Sequence, residues 1–243
     1  MALALITGGS RGVGAALAAE LAGRGYRLLL CGRDAAALHR VAAKYPQAVG
    51  LPCDLGDLSQ VRMLAETASR LGNLALLVNN AAIQHVYQLG DLLPDQACRA
   101  IDEEIAVNLT GPLQLTAHCL PMLRAQPGAR IVNITSGLAL APKRGAAVYC
   151  ATKSGLRTFT RSLRYQEEAA RSGVGVTEVV LPLVDTDMTT GRGTNKISSQ
   201  DAARAIARAV DENRDEVHVG KIKLLHALHR ISPQLSYRVL RDA

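Results

Sequence analysis

Tyr149 and Lys153, in the stretch YCATK, have the types and the spacing to do chemistry together. Four positions apart on a helix, they share one face, one turn from each other. A phenol loses its proton near pH ~10 in a model peptide, and a fixed cation beside it favours the phenolate. Moving that value from ~10 to ~7 takes roughly 4 kcal/mol in favour of the charged form. A tyrosine tuned in this way can give a proton to an oxygen, or take one from an alcohol. The bland alternative is an ordinary half-buried helix position, because Y-x-x-x-K alone is common.

A second chemical signal is TGGSRGVG at 7–14, with glycines at 8, 12 and 14. It follows the apolar run LALIT and opens a helical pattern. A glycine turn there lets backbone N–H groups and the helix dipole meet a pyrophosphate. The spacing is T-G-x-x-x-G-x-G and not G-x-G-x-x-G; any tight strand–helix turn can also need glycine. Downstream, the second apolar run ends LLLCGRD at 28–34. A dinucleotide site that reads a free ribose 2′-hydroxyl places an acid there. This chain has Gly32 and then Arg33, while Asp34 is placed to cap the next helix. Arg33, with Arg11 of the glycine turn, can grip a phosphate through a planar fork, which points to NADP(H). The alternative is that both arginines are simply solvated.

These residues need a scaffold, and the pattern supplies one. Apolar runs at 3–7, 26–31, 48–53, 74–79, 130–135 and 175–182 predict strands, and their near-continuous apolar character suits parallel strands covered on both faces. Helical patterns lie at 12–23, 34–44, 57–70, 95–125, 147–171 and 200–212, with Pro121 expected to end or kink the fourth. The alternation predicts an α/β fold, a doubly wound parallel sheet in a single domain over residues 1–243.

Several motifs in order make the chain similar to the short-chain dehydrogenase/reductase family over about residues 3–188. Besides the glycine turn, they are NNAA (79–82), NLTGP (108–112), ITS (134–136), a spacing of thirteen from Ser136 to Tyr149, and Y-x-x-x-K itself. The resemblance implies a Rossmann fold and interconversion of a ketone or aldehyde with an alcohol, with Tyr149 as general acid/base. It implies that Ser136 binds the substrate oxygen, that Asn108 supports a water relay to Lys153, and that Lys153 also holds the nicotinamide ribose. Ser136 could instead cap a strand end, and Asn108 could satisfy buried backbone groups. The implied cofactor contacts are Gly8, Ser10, Arg11, Gly12, Val13, Gly14, Arg33, Asp54 and Leu55 at the adenosine and phosphate end. Toward the nicotinamide they are Asn80, Ala81, Tyr149, Lys153 and Thr186. A homo-oligomer, dimer or tetramer, is implied, with the helices at 95–125 and 147–171 as contact surfaces. Two places depart from the family pattern. Ala82 replaces a usual glycine, so a small local shift is expected if positive φ is needed there. LPLVDTDM (181–188) replaces the usual Pro-Gly segment, which leaves the path of 181–185 open.

Composition bounds the remaining choices. Hydrophobic residues make up 48% of the chain, enough for a real core. Aromatics are 3%, with no Trp, which argues against a base-stacking nucleic-acid platform; the net charge of +7 is not gathered into a basic run. Five cysteines without C-x-x-C fit free thiols in a reducing compartment and no metal site, and no signal peptide or membrane span is evident. A cytoplasmic enzyme is the default expectation. The polar, glycine-bearing segment 187–199 reads as a substrate lid or a plain connection. GLALAPKRGA (137–146) should line the pocket, and Lys143, Arg144 and Arg192 permit an anionic group. Residues 216–243 carry an apolar stripe broken by Pro233; it could pack on the domain, form a subunit contact or lie on a membrane surface. His218, His226 and His229 read as solvated or capping. Two other functions compete: a cofactor-binding regulator without chemistry, which should have lost one of Asn108, Ser136, Tyr149 and Lys153, all present here, and a membrane-peripheral lipid carbonyl reductase.

Overall fold

Runs such as LALIT and RIVNITS are apolar on both faces, and both faces are covered in the computed structural model, which describes residues 1–242. Ala243, the last residue of the expected domain and of its C-terminal segment, lies outside the described residues. Seven strands form one sheet: β1 (Leu3–Thr7), β2 (Arg27–Gly32), β3 (Val49–Pro52), β4 (Leu74–Asn79), β5 (Arg130–Ser136), β6 (Gly175–Leu181) and β7 (Glu216–His218). Their order is β3-β2-β1-β4-β5-β6-β7, and every pairing is parallel.

Alternate residues of β1 feed two separate cores. Ala4 and Ile6 pack with Leu17 and Leu21 of α1 (Gly12–Gly23), Leu38 of α2 (Ala35–Ala42) and Ile206 of α7 (Ser199–Asp211). Leu3 and Leu5 pack on the other face with Leu64 of α3 (Leu58–Leu71), Leu115 of α5 (Gly111–Arg124) and Leu163 of α6 (Ala147–Ala169). The doubly wound single domain expected from the sequence is therefore the fold. The chain reverses its direction of sheet growth between β1 and β4, where such sheets open a crevice at the strand C-termini.

The long fourth helix differs from expectation. It divides into α4 (Pro94–Ile105) and α5, joined by a π-helical turn at Ala106–Thr110. Pro121 lies inside α5 and does not end it. Its missing N–H removes one bond back to the preceding turn, yet the helix runs on to Arg124. The break comes at Asn108 instead, whose side chain is committed to another segment.

The C-terminal segment packs on the domain. β7 adds an edge strand that its three residues were too short to signal. α8 (Ile222–Ile231) buries Ile222 and Leu225 against Leu140 and Val180, and α9 (Pro233–Leu240) follows at once. Ser232, whose hydroxyl accepts from Leu235 N at 3.4 Å, caps α9, and Pro233 starts that helix. The backbone of Arg144 donates to Arg241 O at 2.9 Å, tying the end of the chain down. Leu224, Ile231 and Val239 stay exposed. Among the described residues no helix is long and apolar enough to cross a membrane.

Candidate active site

A cavity of about 1260 Å³ lies at the C-terminal ends of the strands; every catalytic or cofactor residue expected from the sequence lines it except Asn108, while of the stretch 137–146 only Gly137, Leu138 and Lys143 do. At one end the glycine turn opens α1. Arg11, the residue before α1, makes no side-chain cap, so the first N–H groups of the helix are left for a ligand. Gly12 has φ +54, and a Cβ on Gly14 would stand 2.1 Å from Gly8 O, so the turn closes only with glycine at 14. Thr7 fixes this turn against β4: its hydroxyl accepts from Asn80 N at 2.9 Å and Ala81 N at 3.0 Å, while Asn80 Nδ2 donates to Thr7 O at 2.8 Å. An uncapped helix end behind a backbone stripped of side chains fits a dinucleotide pyrophosphate.

At the adenosine end Asp34 caps α2, accepting from Ala37 N at 2.9 Å, as its position suggested. Arg33 and Arg11 do not converge. Arg33 leans on Glu103 at 3.6 Å and Arg11 on Asp187 at 3.4 Å. Both pairs are well exposed, so neither holds its arginine by more than about 1 kcal/mol. Asp54 Oδ1 accepts from Gly56 N at 2.9 Å, which fixes the turn that presents Asp54 and the buried Leu55 to the cavity.

The chemical end is built by β5 and α6. Ser136 ends β5, and its hydroxyl accepts from Leu138 N at 3.2 Å, so it caps the following turn while facing the cavity. Tyr149 and Lys153 share the inward face of α6, 9% and 2% exposed. Lys153 Nζ donates to Ile134 O at 3.0 Å and stands 5.8 Å from the Tyr149 ring centroid. The proton equilibria differ from the sequence argument. Burial pushes the Tyr149 hydroxyl up to about 12, although the Ser136 hydroxyl and the Arg192 charge pull it down. The cation assumed to be fixed is itself desolvated, and burial takes Lys153 from 10.5 down to about 8. In the protein alone, desolvation outweighs the pull of Ser136 and Arg192, and the Tyr149 hydroxyl favours its neutral form.

Asn108 is fully buried in the π turn and outside the cavity. Its Oδ1 accepts from Ile83 N and its Nδ2 donates to Ile83 O, both at 2.8 Å. Nδ2 also reaches Thr152 Oγ1 at 3.4 Å, and that hydroxyl donates to Tyr149 O at 2.8 Å. Asn108 thus satisfies buried backbone and ties the loop after β4 to the turn of α6 that carries Tyr149. Ala82 is absent from the positive-φ positions, so alanine is unstrained there and no local shift is needed.

The path of 181–185 is set by pairing with the far side of the next loop. Ile197 N donates to Leu183 O at 3.1 Å, and Asp185 N donates to Ile197 O at 2.8 Å. Thr186 then follows, its methyl 3.0 Å from where a Gly12 Cβ would sit, which puts it beside the glycine turn. Gln84 and Lys221 line the cavity without any sequence signal, and Leu225 and Leu228 of α8, read from the sequence only as part of an apolar stripe, line it too. Glu104 was also missed. It is fully buried, accepts from His85 N at 2.8 Å, and its carboxyl is raised by burial.

The sequence profile described as short chain dehydrogenase matches residues 2–197. An uncharacterized oxidoreductase, DltE of Bacillus subtilis, is 36% identical over 223 residues, covering 88% of this chain and 86% of that protein. Among solved structures, a short chain dehydrogenase from Burkholderia cenocepacia in complex with NADP superposes with a TM-score of 0.87 at 27% identity, over 100% of this chain and 98% of that one. A short chain dehydrogenase/reductase from Burkholderia phymatum in complex with NAD gives 0.83 at 22% identity, over 95% and 94%, and speaks for the fold alone.

Lys153 gives a stability test of this geometry. Its folded value of about 8 lies below its ordinary 10.5, so the fold disfavours the ammonium. That penalty is fully present below pH ~8 and fades as pH rises toward ~10.5, where the unfolded chain also becomes neutral. Lys153→Met should therefore stabilise the cofactor-free protein by about 1–3 kcal/mol at pH 7. The gain should shrink at pH 10. Thermal melts at both pH values check it; a variant that melts below wild type at pH 7 would show that the buried ammonium is well solvated.

Proposed function

The chain belongs to the short-chain dehydrogenase family, and from that premise we propose that it is an NADP(H)-dependent oxidoreductase interconverting a small-molecule ketone or aldehyde with its alcohol. The observation that carries this reading is the placing of the Ser136 and Tyr149 hydroxyls on one wall of the cavity whose other end is the uncapped start of α1. When bound, the nicotinamide supplies or accepts the hydride. Tyr149, neutral because it is buried, donates its proton to the carbonyl oxygen, and Ser136 holds that oxygen by a hydrogen bond. In the alcohol-oxidising direction Tyr149 must first lose its proton, which burial resists. Lys153 anchors the nicotinamide ribose and returns a proton to Tyr149. Asn108 positions these groups through Ile83 and Thr152. Thr186 meets the carboxamide.

The preference for NADP(H) rests on Gly32 and Arg33 at the end of β2: glycine takes the place of the acid that would read a 2′-hydroxyl, and Asp34 is engaged as the cap of α2. Arg33 and Arg11 leave weak exposed partners to reach it. The relative from Burkholderia cenocepacia, in complex with NADP, agrees with this choice. A homo-oligomer built on α4–α5 and α6 belongs to the same reading, as does a lid at 187–199.

Two outcomes follow. Tyr149→Phe should retain NADPH binding and lose roughly 10²–10⁴ in turnover on a panel of ketones and aldehydes, the usual worth of a positioned general acid. Near-normal turnover in that variant would remove Tyr149 from the reaction. Titrating NADPH and NADH against wild type should give NADPH a lead of about two to four orders of magnitude, and Arg33→Ala should erode it at least ~10-fold. Equal affinities in wild type would refute the reading of the β2 terminus.

A further inference from the structure

The Ser136–Tyr149 end of the cavity is walled largely by apolar side chains, among them Leu138, Leu183, Ile222, Leu225 and Leu228. Into this wall the segment between β6 and α7 delivers one guanidinium. Arg192 stands between Gly191 and Gly193, whose φ values of +74 and +53 are left-handed, a conformation that leaves these two places to glycine. A Cβ on Gly193 would also stand 2.8 Å from Leu183 Cδ2. The Gly-Arg-Gly turn packs against the cavity wall and presents the arginine to it.

Arg192 then bridges to the loop after β4. Its Nη1 donates to Gln84 Oε1 at 2.6 Å and its Nη2 to Gln84 O at 3.3 Å. Both acceptors are neutral. A guanidinium carries five N–H donors, so donors remain free. The acids of the same segment are engaged elsewhere: Asp185 with Lys196 at 3.3 Å, and Asp187 with Arg11 at 3.4 Å. Glu104 lies beneath the site, outside the cavity lining, and accepts from His85 N. Lys143 and Lys221 add further positive charge to the lining, whereas Arg144 turns away to Asp242 at 2.8 Å. A half-buried cation held in place by neutral acceptors, beside an apolar wall, lacks the anion that would complete it. Its charge reaches the Tyr149 hydroxyl, which places it within electrostatic range of the reacting oxygen.

We propose that Arg192 is a specificity-determining residue and that the substrate is an oxo acid, with its carboxylate on the Arg192 guanidinium, its carbonyl at Ser136 and Tyr149, and its aliphatic remainder against Leu225 and Leu228. This rests on the reading of the site as a carbonyl reductase. The carboxylate takes no part in the electron transfer: the carbonyl carbon gains the hydride, the oxygen gains the Tyr149 proton, and a hydroxy acid leaves. The Gln84 bridge holds the Gly-Arg-Gly turn over the site, so carboxylate binding and closure of the segment favour each other.

The test uses the full chain and two matched pairs, 2-oxooctanoate and 4-oxooctanoate, each against its methyl ester. Calorimetric titration, with and without NADP⁺, reads binding. Wild type should bind at least one acid about 10- to 100-fold more tightly than its ester, the worth of a charge-assisted forked contact. That comparison needs no variant. R192Q should bring acid and ester to within about threefold, and R192K, which keeps the charge without the fork, should fall between. Equal binding of acid and ester by wild type, no measurable binding of either acid, or a preference that persists in R192Q overturns the proposal. NADPH oxidation with 2-octanone reads the underlying reaction separately. If that ketone and the acids are left unreduced while the acid preference stands, the assigned reaction fails and the carboxylate site survives.

Discussion

Burying a lysine and a tyrosine on successive turns of one helix is the constraint on which this structure turns. Each loses hydration, and each responds by favouring its neutral form. The Tyr149 hydroxyl rises to about 12 and Lys153 falls to about 8. A pair read from sequence as phenolate beside ammonium becomes, in the protein alone, a phenol beside an ammonium that gives up its proton far more readily than a free lysine. Such an arrangement disfavours the folded state, and the rest of the fold is built to hold it. Asn79 of β4, Asn133 of β5 and Thr160 of α6 form a buried chain of hydrogen bonds, with Asn79 to Asn133 and Asn133 to Thr160 both at 2.8 Å. This chain fixes α6 against the sheet and so fixes Tyr149 relative to Ser136 at the end of β5.

The same logic organises the opposite end of the cavity. There the unsatisfied groups are backbone N–H donors at the start of α1, left without a cap and faced by glycine. An uncapped, half-buried helix end is a place prepared for an anion. One cavity therefore holds both the uncapped helix N-terminus and, in its lining, the Arg192 guanidinium held by neutral acceptors. The apolar face of α8 closes the wall between them and solvent, which explains why the last segment of the chain is held on the domain.

The fold and the chemical residues were legible in the sequence for separate reasons. Strand and helix periods are local, so β1 to β6 and most helices were placed within a residue or two. The four-residue spacing of Tyr149 and Lys153 is a property of one helix, and the glycine turn announces itself by what flanks it. What the sequence hid depends on distant contacts. The π turn at Ala106–Thr110 exists because Asn108 bonds Ile83, and no local pattern marks it, whereas Pro121 looked like the break and does not end its helix. The sequence names Arg192 only as one of three cations that permit an anionic group; the bridge from Gln84, 108 positions away, is what sets it apart. The protonation states were hidden too, because desolvation is set by what covers a residue and not by its neighbours in sequence.

The central claim is that burial keeps the Tyr149 hydroxyl protonated in the cofactor-free protein. The most direct measurement is a phenolate titration by ultraviolet difference absorbance, comparing wild type with Tyr149→Phe between pH 7 and pH 10.5; the chain has six tyrosines and no tryptophan to obscure them. The account predicts that the two titrate alike over this range, because the Tyr149 proton does not leave until about pH 12. A phenolate present near pH 8 in wild type and missing from the variant would contradict it, and would mean that Lys153 and not desolvation governs the site.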